Sequence, residues 1–596
     1  MFAVVCALTG VAAALRLAGI GQSLHADEFF TYRIVTWNSV WQIPRDVADT
    51  AITPPLHYLL AWLAVQAGEP TTSVRVPSVL FGAATVPLVY LLGARTVGRP
   101  AALVGAAIVA FAPFSLFYGV EARAYATLGF LSALSTLALL AALERPRPLR
   151  WAGYALCAAA ILYTHYSGVF VVLAQGAWAL WARKDQARAL ALSYAGIGLA
   201  FLPWLPAYMR QDDYGSVQAG LFESRFPLSL DTVTDMVAHV LPGYPFVDLA
   251  DVPGTLALVA VWVVIGAAVF MRVARIGQAG EGRGRAVSLL VVLALATPRG
   301  LVLYSLQPDT SLLLPRNLSA SLPAFALVVG GLLTSLRPPL AVVATALVLG
   351  PLLVGALQSL EAENERPQTR AVARLLDRFA GARDAIYAER GLNFPLYFDH
   401  AHALSPLGAP ADWDPAAPRG EAFVVASGIR FPSFVGRSGR VPLRSVTGFP
   451  GIERLSVARY EGRVSGVLER VPGRPPTISW SLGPVARASP HGGLGAIETV
   501  SLRGGVLSIT GWAIGPDRGR AGSVLAFAGD RLVLAGRPHV ARVDVARAHG
   551  SESLHSGFRL EGRPSREPRA EEVQVFAVTG ARAARLEPVP GAGADG

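Results

Sequence analysis

The chain has 596 residues, 53% of them hydrophobic and only 16% charged, with a mean hydropathy of +0.44. That balance excludes an ordinary soluble globule. The net charge of +11 comes almost wholly from arginines scattered between apolar runs, Lys184 being the one lysine, which excludes a nucleic-acid-binding face.

Runs of about twenty apolar residues predict membrane helices. In chain order they fall near 2–20, 76–94, 100–118, 125–143, 151–164, 167–182, 189–205, 253–271, 286–304, 318–336 and 339–357. The first lacks a basic leader and a small-residue cleavage signal, so it reads as a retained span. Arg16 within it would cost roughly 2.5–3.5 kcal/mol at a bilayer centre, so it should lie near an end or face protein. "TPPLHYLLAWLAVQAG" (53–68) is apolar but short and opens on two prolines, which predicts a helix along the membrane surface. Gly- and Ala-rich spans such as "ALVGAAIVAFA" permit close helix packing. Cys6 and Cys157 both lie inside apolar runs and offer neither a disulfide framework nor a thiolate metal site.

Every second loop is basic: Arg95 and Arg99, "ERPRPLR" (144–150), "ARKDQAR" (182–188), "RVARIGQAGEGRGR" (272–285) and Arg337. The alternate loops are acidic or mixed, with Asp27, Glu28, Asp46, Asp49 and Glu69 in 21–75 and "RQDDYG" in 206–251. The positive-inside rule then puts the basic loops and the N-terminus in the cytoplasm and the long tail outside. The expected location is a bacterial inner membrane, crossed many times.

The fold class expected is an α-helical polytopic domain over 1–357, followed by two extracytoplasmic segments. "EAENERPQTRAVARLLDRFAG" reads as an amphipathic helix, and "DAIYAE" and "EAFVVAS" as buried strands, so 358–480 reads as a small α/β domain. Alternating runs such as "GVLSITGWAIG" and "SVLAFAGDRLVLAG", spaced by glycine-rich turns, predict a β-sandwich-like domain over 485–588. The terminal "PVPGAGADG" reads as disordered.

"RLAGIGQSLHADEFFTYRIV" resembles the first outer loop of GT-C polytopic glycosyltransferases, nearest the protein mannosyltransferase and aminoarabinose transferase group of glycosyltransferase family 39. "TPPLHYLLAWL", "RVPSVLFGAATVPLVYLLG", "SLFYGVEARAYATL", "YTHYSGVFVVLAQ", "LPWLPAYMRQ" and "LPRNLSASLPAFAL" follow in the family's order, over roughly 5–357. The chain departs from the family at Phe29, where alanine often follows the acid pair, and at Asn317, where tyrosine often follows the arginine. The resemblance implies transfer of a sugar from a polyprenyl phosphate to a hydroxyl or amine outside the cytoplasm, the acceptor being protein, polysaccharide or lipid.

Such a reaction needs a base for the acceptor and a cation for the phosphate. By match to the family's acid pair, Asp27 is the expected general base. Partial desolvation would raise its pKa unless a cation compensates. Glu28 is expected to orient the acceptor or support the loop. Arg123 and Arg316 are the candidate phosphate ligands, because a guanidinium stays charged and donates in a planar fork. A local Glu121–Arg123 pair and a snorkelling arginine are the structural alternatives. Glu121, His165, Tyr163 and His57 are candidate lining residues. His165 is also explained as an interfacial histidine in an aromatic belt, and His57 as surface-helix packing. Two acids could hold Mg²⁺ or Mn²⁺ through oxygens, but without further acids nearby no metal and no cofactor is assigned. A polytopic transporter or flippase, or a non-catalytic envelope scaffold, are the competing readings. Transporters commonly show internal repeats and midplane charges, and neither is evident here.

Overall fold

The computed structural model describes all residues except 26, 212–226, 274–280, 308–311, 381–383, 390–391, 400–401, 403, 407–420, 428–442, 462–465, 471–474, 481–485, 490–494, 516–520, 537, 563–567, 570–571, 581 and 590–596. Most of "RQDDYG", half of the basic 272–285 loop and nearly all of the terminal "PVPGAGADG" lie outside the described residues. The chain divides into two compact units, Met1–Glu365 and Arg366–Gly596.

The first unit is helical: α1 (Phe2–Gly19), α2 (Asp27–Trp37), α3 (Ile43–Thr50), α4 (Leu56–Val65), α5 (Pro70–Ser73), α6 (Val76–Thr96), α7 (Arg99–Phe111), α8 (Pro113–Tyr118), α9 (Tyr125–Glu144), α10 (Pro148–Leu162), α11 (Gly168–Ala182) and α12 (Ala187–Phe201). Further apolar helices are Thr255–Val273, Glu281–Tyr304, Leu322–Thr334 and Pro338–Gln358. Each of the eleven predicted runs is helical. Among the described residues, seven helices are long and apolar enough to cross a membrane, and five apolar helices are shorter. This is a multi-pass membrane protein.

One predicted span, 100–118, is broken. Ala112 leaves the helical region at ψ 122°, so α7 ends there and α8 begins at Pro113. A proline ring disfavours helical backbone in the residue before it. The break positions Ser115 and the 118–125 turn. Arg16 faces protein, as its cost requires: it is fully buried, and its guanidinium donates to the Ala12 carbonyl at 2.9 Å and the Ser115 hydroxyl at 2.8 Å.

Close approach of helices rests on missing side chains. A Cβ on Gly330 would meet the Ala101 carbonyl oxygen, and one on Gly93 would come 2.7 Å from the Ala102 Cβ. The Leu322–Thr334 helix and α6 thus pack directly on α7 through van der Waals contact, which drives helix association where lipid is as apolar as leucine.

The second unit opens on the amphipathic helix Thr369–Phe379, whose Val372, Ala373 and Leu376 are buried against a five-stranded sheet. The strands are β1 (Ala385–Ala388), β2 (Leu404–Pro406), β3 (Glu421–Ser427), β4 (Leu443–Phe449) and β5 (Leu455–Glu461), in the order β2-β1-β3-β5-β4. β1 runs parallel to β2 and β3; the β3–β5 and β4–β5 pairs are antiparallel. Ten further strands follow: β6 (Gly466–Glu469), β7 (Thr477–Trp480), β8 (Ala486–Ser489), β9 (Gly495–Arg503), β10 (Val506–Ala513), β11 (Ser523–Ala528), β12 (Arg531–Gly536), β13 (Gly557–Gly562), β14 (Val573–Thr579) and β15 (Arg582–Pro588). They form one hydrogen-bonded network in the order β13-β10-β9-β15-β14-β11-β12-β6-β7-β8. β15 bonds β14, β9 and β8, so the strands from β15 round to β8 close on themselves. Closure removes the unpaired edges that two separate sheets would leave.

Candidate active site

Asp27 is the first residue of α2, where helical N–H groups favour a carboxylate. Its Oδ2 accepts from Arg316 Nη1 at 2.8 Å, with the aspartate side chain 32% and the arginine 20% exposed. Residues separated by nearly three hundred positions in sequence therefore meet. Burial by itself would raise the Asp27 pKa, but Arg123 and Arg316 more than offset it and hold the carboxyl below its usual range. The cation left open by the sequence reading is present, in duplicate. Arg316 stands in the short turn Pro315–Ala320, and its guanidinium carbon lies 5.9 Å from the Tyr125 ring centre.

Glu28, the adjacent acid, does something different. It is fully buried and takes both ends of a fork from Arg75, at 2.8 Å from Nε and 2.6 Å from Nη2. The same carboxylate accepts from the backbone N–H of Ala122 at 2.9 Å and of His25 at 3.0 Å. Arg75 also donates to the carbonyls of Ile20, Gln22 and Ser23. The neighbour of Asp27 is thereby hydrogen-bonded directly to the neighbour of Arg123, with Arg75 balancing the buried charge. Burial leaves no part of the Glu28 carboxylate open to solvent.

Arg123, half-buried in the turn before α9, donates from Nη1 to the Tyr58 hydroxyl at 3.0 Å. Tyr58 and nearby acids, Asp27 and Glu121 among them, raise its pKa further against the effect of burial, so it is a permanent cation. Glu121 is 5% exposed, and its carbonyl takes the Ser78 hydroxyl at 2.6 Å.

His57, 1% exposed on α4, lies 3.5 Å from the Thr127 hydroxyl. His165, in the α10–α11 turn, accepts at Nδ1 from the Ser167 N–H at 3.2 Å and packs 5.7 Å from the Tyr125 ring. Burial, with Arg123 beside each and Arg316 also near His165, pushes both imidazoles down to about 3. Both are neutral at physiological pH, so they can donate or accept a hydrogen bond but add no charge. Tyr163 turns away: its hydroxyl bonds the Ala200 carbonyl at 2.8 Å and its ring meets Phe201 and Trp204. Among the described residues no group of three or more His, Cys, Asp or Glu side chains is placed to hold a metal ion.

Three contributors escaped the sequence reading. Arg75 lay hidden as a helix-end arginine just before α6, and Tyr58 beside the more conspicuous His57. Tyr125 was read as part of a helix start, although with Tyr118 it lines a cleft shared by Gly82, Ser115, Gly129 and Ser319.

Residues 53–209 match the family described as dolichyl-phosphate-mannose-protein mannosyltransferase. That stretch holds Tyr58, Arg75, the 118–125 turn and His165; it begins after Asp27 and ends before Arg316. Among solved structures the chain is similar to ArnT from Cupriavidus metallidurans in the apo state, at 14% identity and TM-score 0.47, over 76% of this chain and 97% of that one. The same protein bound to undecaprenyl phosphate matches at 13% identity and TM-score 0.45, with the same coverage. The oligosaccharyltransferase AglB from Archaeoglobus fulgidus, with an inhibitory peptide and a dolichol-phosphate, matches at 12% identity and TM-score 0.42, over 67% of this chain and 60% of that one. No curated protein sequence matches the chain. The resemblance to the GT-C mannosyltransferase family read from the motifs is thus met by a family match over about a quarter of the chain.

Proposed function

We propose that this protein is an integral-membrane glycosyltransferase that moves a sugar from a polyprenyl phosphate to an extracytoplasmic acceptor, with Asp27 as general base. The observation that carries the reading is the ion pair of one partly exposed carboxylate with Arg316, with the positive charge of Arg123 also acting on it, beside the buried Glu28–Arg75 pair. A phosphate ester leaves as a stable anion, so no strong general acid is needed. Arg316 and Arg123 would neutralise the charge that grows on the departing phosphate oxygen. The acceptor hydroxyl gives its proton to Asp27 as its oxygen bonds the anomeric carbon, a step worth roughly 10²–10⁴-fold. Attack opposite the phosphate inverts that carbon. The electron pair of the old C–O bond leaves with the polyprenyl phosphate, and the proton remains on Asp27 until solvent takes it. A lipid donor accounts for the membrane setting, since each buried CH₂ of its chain contributes about 0.8 kcal/mol.

The test is to incubate the purified full chain in lipid with a panel of polyprenyl-phosphate sugars and follow release of polyprenyl phosphate. Turnover of at least one donor, lost in Asp27→Asn, supports the reading. No turnover of any donor, or an equally active Asp27→Asn chain, overturns it.

A further inference from the structure

Helix α2 has two unlike faces. Glu28, Thr31, Ile34 and Val35 are buried. The other face presents Phe30, Arg33 and Trp37, and Trp41 follows in the turn before α3. Positions 30, 33 and 37 fall on one stripe by helical spacing. Trp37 is 73% exposed, Trp41 88% and Phe30 49%. The Arg33 guanidinium carbon lies 5.9 Å from the ring centres of both Phe30 and Trp37. Among the described residues, no carboxylate pairs with Arg33.

Two nearly bare indoles and a phenyl are unfavourable in water, and exposed apolar surface of this kind marks a contact. The chain itself says which. The stripe follows α1, an apolar helix of spanning length whose Val4, Val11 and Leu17 are exposed along it. Only seven residues separate α1 from α2, and Arg75 gathers three of their carbonyls, so α2 stays close to the bilayer surface. Indole rings and arginines together suit the head-group layer: the rings lie among carbonyls and glycerol while the guanidinium meets a phosphate.

We propose that Phe30, Arg33, Trp37 and Trp41 form a membrane-interface anchor, seated in the phospholipid head-group layer with Arg33 on a lipid phosphate. Asp27 and Trp37 are the two ends of α2, about 15 Å apart at 1.5 Å per residue. Anchoring one end fixes the depth of the other. This last consequence rests on Asp27 being the base; the anchor itself does not.

The experiment uses the full chain in phosphatidylcholine vesicles containing lipids with a nitroxide on the head group or near the end of the acyl chain. The difference in emission between the native chain and Trp37→Phe/Trp41→Phe isolates the two indoles. Strong quenching of that difference by the head-group nitroxide, and little by the acyl-end nitroxide, is expected. Quenching by neither, or chiefly by the acyl-end label, overturns the anchor. Arg33→Gln should weaken the head-group quenching; unchanged quenching removes Arg33 from it. A native chain that shows the quenching yet turns over no donor would overturn the enzymatic reading and leave the anchor standing.

Discussion

Adjacent carboxylates, Asp27 and Glu28, sit in opposite electrostatic settings, and each predicts a different experiment. Glu28 and Arg75 are both fully buried and fork-bonded, so removing either leaves an uncompensated buried charge. Glu28→Gln or Arg75→Met should lower stability by about 3–5 kcal/mol, read as a fall in the unfolding midpoint in detergent. Asp27→Asn should change stability far less, because its pair with Arg316 is partly exposed and such pairs contribute about 0–1 kcal/mol. If Glu28→Gln proves as mild as Asp27→Asn, the proposed brace is wrong. The pH dependence follows from the same site. Asp27 is depressed in the folded state, so its ion pair stabilises above the unfolded value, about 3.9, and that contribution is lost as pH falls through the lower folded value. As a base it must be ionised, so the acid limb of activity should lie below the ordinary carboxylate range. Arg316→Gln removes one of the two offsetting cations and should move that limb to higher pH, measured as kcat/KM against pH.

At the scale of elements, helix contact in the first unit depends on single hydrogen atoms. Gly330→Ala would place a methyl against the Ala101 carbonyl at the α7 contact. Overpacking of this kind costs about 1–3 kcal/mol, so the variant should unfold at lower temperature. Gly350→Ala, in the Pro338–Gln358 helix with nothing within 4 Å, should leave the midpoint unchanged. Helices of this sort were legible from the sequence because twenty apolar residues in a row admit few other structures, since a bilayer leaves no backbone group unpaired. The α7–α8 break was marked by Pro113 yet masked by apolarity that runs straight through it. Asp27 could be picked out by its match to the family's acid pair, and Arg123 and Arg316 as arginines at span ends, where a permanently charged planar fork suits a phosphate. Their partners could not: Arg75 looks like any helix-end arginine, and its bond to Glu28 joins positions 47 apart in sequence. Closure of the β6–β15 network was equally hidden, because it depends on β15 bonding three strands at once, which no alternating pattern records.

For the whole molecule, the proposed chemistry requires one sidedness. A polyprenyl donor presented outside can be used only if the α2 end of the bundle faces outward, and the positive-inside rule predicts the basic loops at the cytoplasmic end. The eleven crossings expected from the sequence would leave the tail outside the cytoplasm. The two native cysteines lie within α1 and α10, so a cysteine-free background permits single reporters elsewhere. Arg145→Cys, in an exposed basic loop, should resist an impermeant maleimide in intact cells and react after the membrane is opened. Asp530→Cys, at the exposed turn between β11 and β12, should react in intact cells. Labelling of both from outside would mean that an even number of crossings separates them. Were position 145 alone accessible, the basic loops would face outward and Asp27 inward, and a base on that side could not serve an extracytoplasmic acceptor.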